Sequence, residues 1–205
     1  RGGFFSTPMA AEPPKKDEAV KVVVRVRPLS RKEKQDGHTA QTIAYEDRGV
    51  VTCQNPKADA DDPPKTFTFD HVFSDTVTQK HIYDTAAAYV VEAALKGFNG
   101  TFFCYGQTGA GKSFTMEGAP DPPELRGVIP HSFTHIFDTV GLANAEQQYL
   151  IRASYLEIYN EEIRDLLSRD PKNKLELKEN MDTGQPHEIG PLMVMHEHTS
   201  CHPVR

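Results

Sequence analysis

Hydrophobic and polar residues alternate where the regular part of the chain begins. Val20, Val22, Val24 and Val26 fall on one side of the alternation, with Lys21, Val23 and Arg25 between them. A strand is predicted over residues 19–29, ended by Arg27-Pro28. The charged stretch 30–37 suggests one helical turn. Residues 41–45 and 50–54 flank Glu46-Asp47-Arg48-Gly49 and predict two short strands joined by a hairpin turn. An Asp- and Pro-rich loop over 55–65 leads to Thr66-Phe67-Thr68-Phe69, which alternates again as a strand.

A helix is predicted from an N-cap at Thr78 to Lys96, with Ile82, Ala86, Val90 and Leu95 on its apolar face and Gly97 as its stop. Phe98-Asn99-Gly100 then turns into the apolar run Thr101-Phe102-Phe103-Cys104-Tyr105, predicted as a buried strand. Over 118–127, Pro120, Pro122 and Pro123 forbid regular structure. A second helix is predicted over 128–140, starting near Pro130 and turning Phe133, Ile136 and Phe137 inward. Residues 149–159 read as a long strand, after which Asn160 caps a short amphipathic helix over 161–167. Residues 174–178 alternate as a last strand. The sequence shows neither an internal repeat nor the heptads of a dimerisation segment.

Between the 101–105 strand and the second long helix the composition changes abruptly, to Gly106-Gln107-Thr108-Gly109-Ala110-Gly111-Lys112-Ser113, followed by Phe114-Thr115-Met116. The octet fits G-x-x-x-x-G-K-[ST] at every fixed position, in the strand-before, helix-after setting that a phosphate-binding loop needs. The residue types suit that task. Glycines at positive φ let successive N–H groups approach phosphate oxygens with no Cβ in the way. Lys112 supplies a point charge to the β- and γ-phosphates, and the Ser113 hydroxyl is a ligand for Mg²⁺. A helix starting at this point adds its positive end to the anion site.

Composition narrows the field. At 205 residues the chain can bury one domain. A formal charge of −6 and a pI near 5.8 argue against nucleic acid or an acidic membrane surface as the main partner, since those call for a basic footprint. No stretch approaches a membrane span, and residues 1–5 lack the regions of a secretory signal. Cys53, Cys104 and Cys201 are odd in number with no C-x-x-C pairing, which favours a reducing compartment. Asn99-Gly100-Thr101 matches a glycosylation sequon and is read instead as a turn before a strand. Met9 is a more natural start than Arg1, so residues 1–8 read as upstream read-through or a clipped leader; 1–18 as a whole is expected to be a disordered leader.

The motifs together resemble one family, the kinesin motor domain. The resemblance is carried by Val24-Arg25-Val26-Arg27-Pro28-Leu29, Phe67-Thr68-Phe69-Asp70-His71-Val72-Phe73, Gly97-Phe98-Asn99-Gly100-Thr101, and the run from Tyr105 to Gly118 that includes the phosphate loop. Arg126-Gly127-Val128-Ile129-Pro130 and Ser154-Tyr155-Leu156-Glu157-Ile158-Tyr159-Asn160-Glu161-Glu162 add to it. It extends over about residues 20–184, and residues 174–184 look most like the kinesin-2 branch, whose members run toward microtubule plus ends and serve ciliary transport. It implies an α/β P-loop NTPase fold with a central mixed sheet flanked by helices, ATP and Mg²⁺ as cofactors, and microtubules as partner, in the cytoplasm. Arg25 and Pro28 match family positions that flank the adenine, and Phe114 matches a position where an aromatic covers the base; a guanidinium and flat rings suit a purine. An unrelated P-loop kinase would need an acceptor-substrate site that nothing here supplies.

The pattern then departs from the family. Family motors carry two downstream elements, N-x-x-S-S-R-S-H and D-x-x-G-x-E, and neither string occurs in the 205 residues. Residues 19–184 therefore read as the N-terminal part of a motor domain, with the sheet incomplete on its C-terminal side and the main microtubule-binding surface missing. Four of the nine histidines lie in 185–205, a stretch read as a divergent, disordered tail from alternative splicing, a frame error or a wrong gene model. His196, His198, Cys201 and His202 match no standard zinc spacing. No catalytic residue is assigned: Glu161 and Glu162 follow an apolar strand as a Walker-B acid would, but capping and solvation suit them better. Two readings follow: the N-terminal half of an ATP-driven microtubule motor, or a non-motile short form that only binds ATP.

Overall fold

The computed structural model describes residues 20–57, 59, 62–142, 149–170 and 174–175. Both the expected leader and the expected tail lie outside them. The architecture is α/β. Strand β1 (Val23–Arg25) pairs in parallel with β5 (His71–Phe73). Between them in sequence come helix α1 (Arg31–Gln35) and an antiparallel meander of β2 (Thr42–Tyr45), β3 (Val50–Cys53) and β4 (Lys65–Thr68).

The valine alternation predicts a longer β1 than the three residues that form it. Partner length sets the limit: β5 is itself three residues, and the pairing is extended only by single bonds, Asp70 N to Val22 O and Val26 N to Phe73 O. Val20 and Val22 consequently stay exposed. In α1, Ser30 caps through a reciprocal box. Its hydroxyl accepts from Glu33 N at 3.2 Å while the Glu33 carboxylate accepts from Ser30 N at 2.6 Å. Arg27 grips that same carboxylate with both Nη atoms, and these bonds hold Glu33 at a pKa of about 2.

The predicted 78–96 helix forms, but it is not uniformly α. Thr78 caps it, its hydroxyl accepting from His81 N at 3.2 Å. The run then divides into α2 (Gln79–Ile82), a π-helical turn over Tyr83–Ala87 and α3 (Ala88–Leu95). A π turn holds one residue more than the α spacing allows, so the inward stripe moves by one position. The deeply buried apolar residues are therefore Ile82, Tyr83, Ala86, Ala87 and Val91, while the expected Val90 and Leu95 are only half-buried.

Two small apolar clusters hold this helix in place. Phe73, Ile82 and Ala86 pack together with Val77, joining the parallel pair to the helix. Tyr83, Ala87 and Val128 form the other, with Phe102 and Met116 against them. Val128 opens helix α5 (Val128–Gly141), whose buried positions are Val128, Ile129 and Ser132. The helix starts two residues earlier than Pro130 suggests, and its inward face is correspondingly its first turn. Phe133 and Ile136 are half-buried and Phe137 is exposed, contrary to the expectation that all three point inward.

The C-terminal part departs furthest from the sequence reading. Only β6 (Leu156–Tyr159) of the predicted 149–159 strand is regular, and the predicted 161–167 helix is strand β7 (Glu162–Asp165), antiparallel to β6 and continued by β8 (Lys174–Leu175). Asn160 and Glu161 both have positive φ, 51° and 65°, the pattern of a two-residue I′ hairpin turn. Asparagine is favoured both as an N-cap and at a left-handed turn position, and here it takes the second role. Among the described residues, no helix is long and apolar enough to cross a membrane.

The interface between the π turn and α5 contains a titratable group with an unmet polar atom. Tyr83 is buried, its hydroxyl paired with His135 Nδ1 at 2.8 Å, and the His131 ring lies 5.3 Å from the Tyr83 ring. His131 Nε2 is buried with no hydrogen-bond partner among the described residues. Burial pushes this imidazole below its ordinary range; nearby Lys80 and Arg126 push the same way and Asp84 opposes them. The folded protein thus takes up the proton less readily than the unfolded chain, whose imidazole titrates near ~6.5. Stability is expected to fall as pH drops below that value and through the folded-state pKa. Urea midpoints measured from about pH 7.5 to about pH 5.5 should show this decline in the native protein and a shallower one in His131→Leu. Parallel profiles would remove His131 as the cause.

Candidate nucleotide-binding site

The segment before the octet is not a paired strand in this structure. Residues 101–105 make no ladder with the described strands, correcting the predicted buried strand. The alternation behind that prediction nevertheless survives in the burial. Phe102 and Cys104 are half-buried, Phe102 against the Tyr83 cluster, while Phe103 and Tyr105 are 76% and 81% exposed and stack on each other at 6.3 Å. One face of the segment is packed, and the other has no strand or helix over it among the described residues.

The octet then turns back on itself. Gly106, Gly109 and Gly111 have φ of 156°, 80° and 97°. At Gly106 the space is also close, since a Cβ would lie 3.0 Å from that of Ala110. Ala110 N donates to Gln107 O at 3.0 Å, closing the turn. Lys112 reaches back into the loop, its Nζ donating to Gly106 O at 2.7 Å and Gln107 O at 3.3 Å. The helix that follows, α4 (Lys112–Met116), has five residues. So short a helix adds little dipole, and the anion-binding capacity rests on the loop N–H groups and the Lys112 ammonium.

Arg25, at the end of β1, is brought to α4. Its Nη1 donates to Gln79 Oε1 at 2.8 Å and to Thr115 Oγ1 at 2.9 Å, and its guanidinium carbon lies 5.1 Å from the Phe114 ring centroid. This joins two of the residues expected around a base. The third, Pro28, is exposed on the segment that the Arg27–Glu33 pair pins, its carbonyl accepting from Arg27 Nη1 at 2.9 Å. Burial lowers the Arg25 pKa from its ordinary value; the guanidinium remains charged because that value is so high. Burial raises the neighbouring Cys104 thiol, against the opposing fields of Lys112 and Arg25.

Sequence reasoning missed Gln79. Its side chain is among the few buried polar ones, and its amide N donates to the carbonyls of Phe114 and Leu125 while its amide O accepts from Arg25. A signal was present: Gln79 lies three and four residues before Ile82 and Tyr83, a polar residue on the apolar stripe of its helix.

The donor set suits a Mg²⁺-triphosphate. Backbone N–H groups and one ammonium offer only positive partners, and the exposed Ser113 hydroxyl offers one hard oxygen to a cation whose other ligands would be phosphate oxygens and water. Among the described residues, no cluster of three or more His, Cys, Asp or Glu could hold a metal without the nucleotide. Glu161 and Glu162 do not supply one either. Glu161 is exposed in the hairpin turn, and Glu162 accepts from Arg164 Nη2 at 3.0 Å on β7, so neither caps a helix.

Comparison with known proteins agrees with this geometry. The model of the kinesin motor domain family matches residues 25–198. Kinesin-like protein KIF3C, a kinesin-2 motor, is 54% identical over 170 residues in Pongo abelii and in Mus musculus, and Kinesin-like protein klp-20 of Caenorhabditis elegans is 51% identical over 167 residues. Those stretches cover 83%, 83% and 82% of this chain but 21%, 21% and 26% of the relatives, so the chain spans about a quarter of their length or less. A solved structure of a fast kinesin superposes with a TM-score of 0.72 at 40% identity, covering 80% of this chain and 45% of that one. With the loop, the flanking motifs and the fold all in agreement, and with similarity to members of the kinesin-2 branch, the chain belongs to the kinesin motor domain family.

Proposed function

We propose that this chain binds ATP with Mg²⁺ as the nucleotide-holding part of a microtubule motor. The observation that carries this reading is the loop itself: three glycines at positive φ surround a lysine whose ammonium already sits against two loop carbonyls. When ATP binds, Lys112 would exchange those carbonyls for β- and γ-phosphate oxygens, the N–H groups of Gln107 to Ser113 would cradle the chain of phosphates, and Ser113 would ligate the cation. Mg²⁺ held there would supply positive charge against the phosphates. Arg25, Pro28 and Phe114 would hold the adenine.

Hydrolysis needs more than this cradle. Phosphoryl transfer to water is catalysed by positioning the water and stabilising charge on the γ-phosphate. The two strings that carry those groups in the family do not occur in the 205 residues, so binding, without efficient turnover, is what we propose for this chain by itself. Microtubules in the cytoplasm are the proposed track of the motor, with plus-end movement and a ciliary setting following from the kinesin-2 likeness. The test is an ATPase assay on the 205-residue chain with and without microtubules, alongside ATP binding by calorimetry. Binding with negligible stimulated turnover is expected; strong stimulation would show that the catalytic groups are present in another form, and absent binding would overturn the proposal.

A further inference from the structure

We infer that Gln79, with Thr115, is a positioning residue for base recognition, fixing the Arg25 guanidinium against the Phe114 ring. The inference rests on the ATP reading above and adds to it the device that sets base affinity.

Gln79 is 3% exposed, and a buried amide must have all its partners inside the protein. Its orientation is fixed by chemistry. Arg25 can only donate, and the carbonyls of Phe114 and Leu125 can only accept, so the amide oxygen must face Arg25 and the amide nitrogen the two carbonyls. A flipped amide would lose all three bonds at once. The side chain is anchored by the start of α2, directly after the Thr78 cap.

The consequence for Arg25 is geometric. Both hydrogens of Nη1 are committed, one to Gln79 and one to Thr115, at 2.8 and 2.9 Å. Two acceptors on a single nitrogen fix the plane of the guanidinium as well as its position. Phe114 is held at the same time, because its own carbonyl accepts from Gln79. A single buried amide therefore holds the guanidinium directly and anchors the backbone that carries the ring, in a cation–aromatic pair whose separation is 5.1 Å. Pre-organised flat groups lose little freedom when a purine is added, so ordering them beforehand raises affinity for the base.

A merely structural role for Gln79 would weaken the whole site, whereas positioning weakens only contacts to the base. Calorimetric titrations with ATP and with inorganic tripolyphosphate, both with Mg²⁺, separate the two. Gln79→Met keeps the volume and removes the bonds. It is expected to weaken ATP by about tenfold and leave tripolyphosphate within about twofold. Equal losses for both ligands, or no loss for ATP, would overturn the inference. Should Gln79→Met fail to fold, Thr115→Val decides: it leaves the Gln79 bonds to backbone intact, and about a threefold loss for ATP alone is expected. Parallel losses or unchanged ATP affinity in that variant count equally against it. Failure of the underlying ATP reading looks different, because native protein would then bind neither ligand or bind ATP no more tightly than tripolyphosphate.

Discussion

Lys112→Ala should weaken ATP binding by about a hundredfold or more while the fold survives. Truncating one member of a desolvated charge pair costs about 2–5 kcal/mol, and a loss of about 3 kcal/mol is already more than a factor of ~100. The stability cost is expected to be much smaller. Lys112 gives the free loop two charge-assisted hydrogen bonds, to Gly106 O and Gln107 O, of a kind worth about 1.5–3 kcal/mol each when water cannot replace them. Both carbonyls belong to a partly exposed loop that water can reach. Calorimetry for binding and urea unfolding for stability check the two halves separately. An unchanged affinity for ATP would mean that the loop is not the site.

Alanine at Gly118 or Gly127 should instead unfold the region, with a loss of about 3 kcal/mol or more. Gly118 has φ of 73°, and a Cβ there would fall 2.0 Å from Leu125 O and 2.5 Å from Gly127 N. At Gly127 a Cβ would fall 2.3 Å from Met116 O. Every one of these obstacles is backbone, so no side chain can rotate aside. The two glycines also close the 118–127 loop onto α4, through the bridge between Gly118 and Arg126 and the bond from Gly127 N to Glu117 O. Leu125 O accepts from Gln79, so displacement of this loop reaches the Arg25–Phe114 pair as well. Gly37 is the natural control. It has φ of 79° with nothing within 4 Å of a Cβ, and Gly37→Ala should cost only the local strain of about 1 kcal/mol. Urea midpoints that fall equally in all three variants would refute the steric account.

What could be read from the sequence was what depends on near neighbours. The phosphate loop is a local device whose glycines, lysine and hydroxyl sit at fixed spacing, and the structure folds it with all three glycines at positive φ. The Thr78 cap and the 41–54 hairpin are local too. The features that were misjudged depend on partners distant in the chain or on a choice between two local options. Residues 101–105 have strand-like alternation, but a strand needs a neighbour to bond to, and the sequence of one segment does not contain that neighbour. Glu162-Ile163-Arg164-Asp165 is short enough to suit a helix or a strand, and Asn160 suits the start of either, so the decision falls to pairing with Leu156–Tyr159. At the candidate site, Arg25 and Phe114 were each singled out from the sequence. Their contact was not, because it is made by Gln79, 54 residues from Arg25 and 35 from Phe114.

The π turn at Tyr83–Ala87 has a consequence for which changes in chain length this helix can absorb. An α-helix advances ~100° per residue, so removing one residue from Ala88–Leu95 would swing everything beyond it onto a different face. Removing one from Tyr83–Ala87 would merely relax the turn to α, leaving Gln79 and Ile82 in phase with Val91. The extra residue is thus a point of slack at which the chain can shorten by one without detaching Arg25 and the 106–116 segment from the helix that supports them.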